Sequence, residues 1–140
     1  MIIVVDTNIL ISALIRDSLT RRLIVSSGMN FCYPEISLHE VRKHRKLILE
    51  KSGLNEAEFD HLLERLLGYV VLIPTEVVEE HLERAKSIML KIDPKDVVFI
   101  AVSLAFENSV IWSDDRDFER QKKIRILKTT QFARLFGKDK

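Results

Sequence analysis

The chain has 140 residues, 46% of them apolar and 31% charged, the balance of an ordinary globular protein with room for one core. With 22 Lys and Arg against 21 Asp and Glu the formal net charge is +1, so bulk charge gives no claim on nucleic acid and any polyanion site must come from local clustering. The single cysteine, Cys32, excludes a disulfide framework and a Cys-based zinc site and fits a reducing, cytoplasmic setting; no signal-like start is present, and the longest later apolar run, Val97 to Val102, is too short to span a bilayer.

Ile2–Val5 reads as a short, wholly apolar strand, the kind expected in the middle of a parallel sheet, and it stops on Asp6. Thr7 to about Ile15 follows as a helix, then Leu19 to Ser27 with Gly28 as its stop. Phe31–Tyr33 is a brief strand closed by Pro34, and Ser37 to about Lys51 is a helix with Gly53 beyond it. Asn55–Leu67 is the clearest helix: Phe59, Leu62, Leu63, Leu66 and Leu67 form one stripe, and Asn55 with Glu58 is a capping pattern. Val70–Ile73 is a strand ended by Pro74.

Thr75 is expected to cap a helix carrying Val78, Leu82, Ala85 and Met89. Asp93-Pro94 opens the next, Val97 to Phe106, apolar nearly all round and so the most buried. Val110–Trp112 and Ile124–Leu127 read as strands, Arg116–Gln121 as a short helix and Thr130–Phe136 as the last. The alternation predicts a three-layer α/β/α sandwich around a mostly parallel sheet of four to five strands, one domain over residues 1–136 with a short polar tail at 137–140.

Four acids stand at the punctuation points: Asp6, Glu40, Asp96 and Asp115. Each has a plain structural reading. Asp6 can cap the helix after the first strand, Glu40 completes Ser-x-x-Glu from Ser37, Asp96 favours the dipole of its helix, and Asp115 or Asp117 can cap the turn that follows. Taken together they mean more. In a right-handed parallel fold, strand C-termini and following helix N-termini share one edge of the sheet, where ligands bind. Four acids gathered there repel unless a cation neutralises them, and oxygen-only ligands suit Mg²⁺ or Mn²⁺.

Asp6-Thr7-Asn8, Glu40, the segment Asp96-Val97-Val98-Phe99-Ile100-Ala101 and the segment Ser113-Asp114-Asp115-Arg116-Asp117-Phe118 together resemble the PIN-domain pattern across essentially the whole chain. The resemblance implies a metal-dependent ribonuclease, among whose kind are the toxins of VapBC toxin–antitoxin pairs. It carries the acid pocket over to Asp6, Glu40, Asp96 and Asp115, with Asp6, Asp96 and Asp115 on the metal. Thr7, Asn8, Ser113 and Asp117 are then supporting residues, Asn8 holding Asp6 by a hydrogen bond. Ser113 stands where the family often has Thr, and Asp114 and Asp117 are alternatives to Asp115 as fourth ligand. An RNA substrate, an antitoxin partner and a homodimer are implied as well.

Phosphate contacts need cations, and Arg42, Lys43, Arg45 and Lys46 lie just after Glu40. Lys122, Lys123, Arg125 and Lys128 form a second concentration, and Arg16, Arg21 and Arg22 a third. A solvated helix face explains any one of these runs alone. His39 and His44 flank Glu40 but are read as solvated or partner-bonded, and Cys32 as a small hydrophobe. A non-cleaving PIN-like domain that binds RNA or a partner is the main alternative; it leaves four repelling carboxylates without a purpose. A receiver-type phosphotransfer protein needs an early acidic pair, and Asp6 follows four apolar residues.

Overall fold

The computed structural model describes residues 1–15 and 18–137. In chain order it contains β1 (Ile2–Val5), α1 (Thr7–Ile15), α2 (Leu19–Ser26), β2 (Asn30–Pro34), α3 (Leu38–Lys43), α4 (Arg45–Ser52), α5 (Glu56–Leu67) and β3 (Val70–Ile73). After these come α6 (Thr75–Glu80), α7 (Leu82–Met89), α8 (Val97–Leu104), β4 (Ser109–Trp112), β5 (Ile126–Leu127) and α9 (Thr129–Phe136). Short 3₁₀ turns stand at Glu35–Ser37, Pro94–Asp96 and Arg116–Arg120.

The strands form one sheet in the order β3-β2-β1-β4-β5, with every pair parallel. Wholly apolar β1 lies at the centre, where both faces are covered, and Ile3, Val4 and Val5 are fully buried. The chain grows outward from β1 through β2 to β3, then crosses back to β4 on the other side. Right-handed connections in opposite directions put their helices on opposite faces. Accordingly α6, α7 and α8 pack together with α8 against the central strands, while α1 packs with α2, α3, α4 and α5, and α9 joins α2. This is the expected three-layer sandwich.

Helix α8 is indeed the most enclosed, with Val97 and Phe99 through Ser103 all buried. Helix α5 carries the complete capping box: Asn55 Oδ1 accepts from Glu58 N at 2.8 Å and Glu58 Oε1 from Asn55 N at 2.9 Å. An aromatic cluster seals α9 onto the sheet, with Trp112 and Phe132 stacked at 4.4 Å and Phe31 5.9 Å from each.

Two expected helices and one expected strand differ from what is observed. The helix from Ser37 to Lys51 is broken at His44. The imidazole Nδ1 takes the Glu40 carbonyl at 2.8 Å, the acceptor that an α-helix would give to the His44 backbone, and that N–H turns to Val41 O instead. Ser37–Glu40 makes no capping box; Glu40 is engaged elsewhere, as described below. The helix from Thr75 is also interrupted, at His81, and Thr75 lies inside it rather than capping it, with Pro74 in the cap position. Finally, β5 has only Ile126 and Leu127, because the Gln121 side chain occupies both the N–H and the carbonyl of Ile124.

Candidate metal centre

The order of the sheet reverses between β1 and β4, and a crevice opens at such a point beyond the strand C-termini. Asp6 leaves β1 there, and Ser113 to Asp115 leave β4 beside it. The two ends are tied by backbone, Asp6 N donating to Trp112 O at 3.3 Å. Asp6 is buried and does cap α1: its Oδ1 accepts from Ile9 N at 2.9 Å. Its Oδ2 accepts a short hydrogen bond from Ser113 Oγ. The Ser113 oxygen in turn accepts from Asp115 N at 3.0 Å, and Asp115 Oδ1 from Asp117 N at 2.9 Å. One hydroxyl therefore links two acids from different strands.

Glu40 reaches the same place from α3. Its Oε1 accepts from Thr7 Oγ1 at 2.8 Å, and the Tyr33 hydroxyl lies 2.7 Å from Thr7 Oγ1 and 2.8 Å from Ser37 O, with one proton to share between them. Tyr33 thus braces Thr7 from β2, a role with no mark in the sequence beyond a tyrosine at a strand end. Asp96 closes the last side, at the start of α8. It is 8% exposed, and its Oδ2 is buried with no hydrogen-bond partner among the described residues.

A cavity of about 370 Å³ has Asp6, Glu40, Asp96 and Asp115 in its wall, with Thr7 and Asn8. All four predicted acids are thereby brought together. Asn8 is exposed in that wall; the hydrogen bond expected from it to Asp6 comes from Ser113 instead. Asp114 faces away, accepting from Thr129 N at 2.8 Å and Thr129 Oγ1 at 2.6 Å at the start of α9. Asp93 and Lys95 also line the cavity, and sequence reading passed over them as a cap and its neighbour. The signal was available in Asp93-Pro94-Lys95-Asp96, since residues three apart share a side of a helix start.

The electrostatics of the site are those of crowded anions. Burial pushes the Asp96 carboxyl up from 3.8 to about 8, with Asp93, Asp115, Asp6 and Asp117 adding to the effect. Burial also lifts Asp6 to about 6, although Ser113 and the Ile9 N–H hold it down. Asp117 is raised by desolvation and by Asp115. Asp93, Asp96, Asp115 and Asp117 each offer an oxygen within 4.8 Å of the others. A buried carboxylate oxygen without a partner, facing other carboxylates, fits a hard divalent cation better than any protein donor in reach.

The basic residues divide. Lys43 lies in the cavity wall with His44, while Arg42 and Lys46 are exposed on the same helices. Arg45 is otherwise committed: it bonds Glu56 at 2.5 Å and Asp60 at 2.6 Å, and its guanidinium lies 5.0 Å from the Phe59 ring centre. It clamps α4 to α5, its charge shared between two carboxylates. In the second concentration Lys128 pairs with Glu119 at 3.2 Å. Arg21 donates to Ala13 O at 2.7 Å. Arg16 lies outside the described residues, as do residues 138–140 of the tail.

An acid-lined crevice at the switch point of a parallel sheet lies where such folds bind their ligands. Over residues 4–132 the chain matches the PIN-domain family model, and it belongs to that family, whose members are in general nucleases that use divalent metals. No curated protein matches it. No helix among the described residues is long and apolar enough to cross a membrane.

Proposed function

We propose that the protein is a Mg²⁺- or Mn²⁺-dependent ribonuclease that hydrolyses phosphodiester bonds, acts in the cytoplasm, and is the toxin of a toxin–antitoxin pair working as a homodimer. The observation that carries the catalytic part is the Asp96 carboxylate, buried and unpartnered among three further acids at the sheet's switch point. Asp6, Asp96 and Asp115 would hold the cation, directly or through water, and Glu40 would complete the cage. A divalent cation there supplies a Lewis acid for phosphoryl oxygens and makes water nucleophilic near neutral pH.

The protein's own groups do the rest. Ser113 donates to Asp6 and accepts from Asp115 N, fixing both acids. Thr7, braced by Tyr33, fixes Glu40, so that its second oxygen is left for water. Lys43 and Lys95 in the wall offset substrate charge, and Arg42 and Lys46 extend that field along the helices. Asp114, tied to Thr129, is set aside as a ligand, which supports Asp115 as the fourth acid.

The test is cleavage of a panel of structured RNAs with Mg²⁺ or Mn²⁺ by wild type, Asp6→Asn and Asp96→Asn. Wild type is expected to cleave and both variants to lose at least about a hundredfold in rate. Equal cleavage by all three would trace the activity to a contaminating nuclease and remove the assignment. The toxin role has its own readout: growth arrest on expression, relieved by Asp96→Asn.

A further inference from the structure

We propose that Asp93, besides capping the turn before α8, is a ligand of the divalent cation and draws it toward the Asp96 and Asp117 side of the cavity. This rests on the metal-dependent reading above and extends it to a residue that a cap would otherwise explain completely.

Asp93 has an extended backbone, as a residue before proline must. Its Oδ1 accepts from Lys95 N at 3.0 Å, which leaves its second oxygen uncommitted by the cap. The side chain is half-buried in the cavity wall. Asp93 and Asp117 each offer an oxygen within 4.8 Å of the other, and carboxylates so close repel unless a proton or cation lies between them. Oxygens of Asp93, Asp96, Asp115 and Asp117 fall within 4.8 Å of one another, and Asp6 and Glu40 lie outside this closest group. Independently of the cluster, Asp96 is 92% buried and its Oδ2 has no partner. Asp6, by contrast, already has a donor on each oxygen. The strongest demand for positive charge is therefore on the Asp93 side.

Asp93→Asn is a clean probe, because asparagine caps a helix as well as aspartate while removing the charge. Titration of Mn²⁺ alone into the full chain, followed by calorimetry, is compared among wild type, Asp93→Asn, Asp96→Asn and Asp114→Asn. The expected result is Mn²⁺ binding at least about tenfold weaker in Asp93→Asn, with Asp114→Asn within twofold of wild type. Metal-free Asp93→Asn should melt no lower than wild type, since it sheds a repulsion and keeps the cap, so a lower affinity cannot be put down to misfolding. Unchanged binding in Asp93→Asn together with lost binding in Asp96→Asn overturns the role of Asp93 and leaves the metal centre standing. No uptake by wild type overturns both.

Discussion

At the residue scale the centre of the account is a conflict between stability and charge. Asp6 and Asp96 have folded-state pKa values near 6 and 8, both above the ordinary 3.8. The folded state therefore binds protons more tightly than the unfolded one. As pH rises from about 4 the unfolded chain releases its protons first, and stability falls until Asp96 has titrated near pH 8. The metal-free protein is accordingly expected to lose melting temperature steadily between pH 5 and pH 8 in a thermal scan, and millimolar Mn²⁺ should restore it. Because one pKa unit corresponds to about 1.4 kcal/mol, Asp96→Asn should gain at least ~1 kcal/mol in metal-free stability at pH 8, measured by urea unfolding. The same variant should gain nothing from Mn²⁺. A flat pH profile would mean that the acids are not crowded in solution.

Ser113 belongs to this scale too. Its hydroxyl lowers the Asp6 pKa and satisfies Asp115 N, so Ser113→Ala removes two supports at once. The Asp6 pKa then climbs toward neutrality and the acid competes less well for metal. Cleavage at pH 7 is expected to fall about tenfold and to recover in part at pH 8.5, while Ser113→Thr keeps the hydroxyl and most of the activity. A pH–rate profile of Ser113→Ala parallel to that of wild type would remove Ser113 from this role.

At the element scale the helix ends and breaks matter most. The capping box of α5 is complete, and Asn55→Ala should cost about 1 kcal/mol in a denaturant titration. Arg45 spans α4 and α5 through two ion pairs and Phe59, yet its side chain is 37% exposed. Arg45→Ala should therefore lower stability by only about 0.5–1 kcal/mol and leave RNA affinity within twofold, whereas Lys43→Ala should weaken RNA binding and flatten its salt dependence. Equal losses of RNA affinity in the two variants would place Arg45 beside Lys43 on the RNA. The basic run after Glu40 shows the limit of sequence reading here. Four cations in five residues look alike in the chain, and only the position of α5 tells that one faces inward to acids. The breaks at His44 and His81 were equally hidden, because a continuous helix and two helices with a one-residue hinge share the same apolar spacing. By contrast Ile2–Val5, Asn55–Leu67 and the apolar α8 were legible, since burial on all sides, a reciprocal cap and a full stripe each leave a direct trace.

At the scale of the whole molecule the strand order decides what the acids can do. Alternating strands and helices were enough to expect a parallel sandwich and to place chain punctuation at one edge. The reversal between β1 and β4 turns that edge into a crevice, bringing Asp6 and Ser113, 107 positions apart, into a hydrogen bond. Asp93 stayed unread because Asp93-Pro94 is complete as a helix start; only the convergence with Asp115 and Asp117 from the loop after β4 gives it a second meaning. The measurement that bears most directly on the account is the rate of RNA cleavage against Mn²⁺ concentration, for wild type and Asp96→Asn side by side. The wild-type rate is expected to rise saturably with its midpoint at the Mn²⁺ concentration that raises the melting temperature, and the variant's rate not to rise. Cleavage that ignores Mn²⁺, or that rises equally in both proteins, would contradict it.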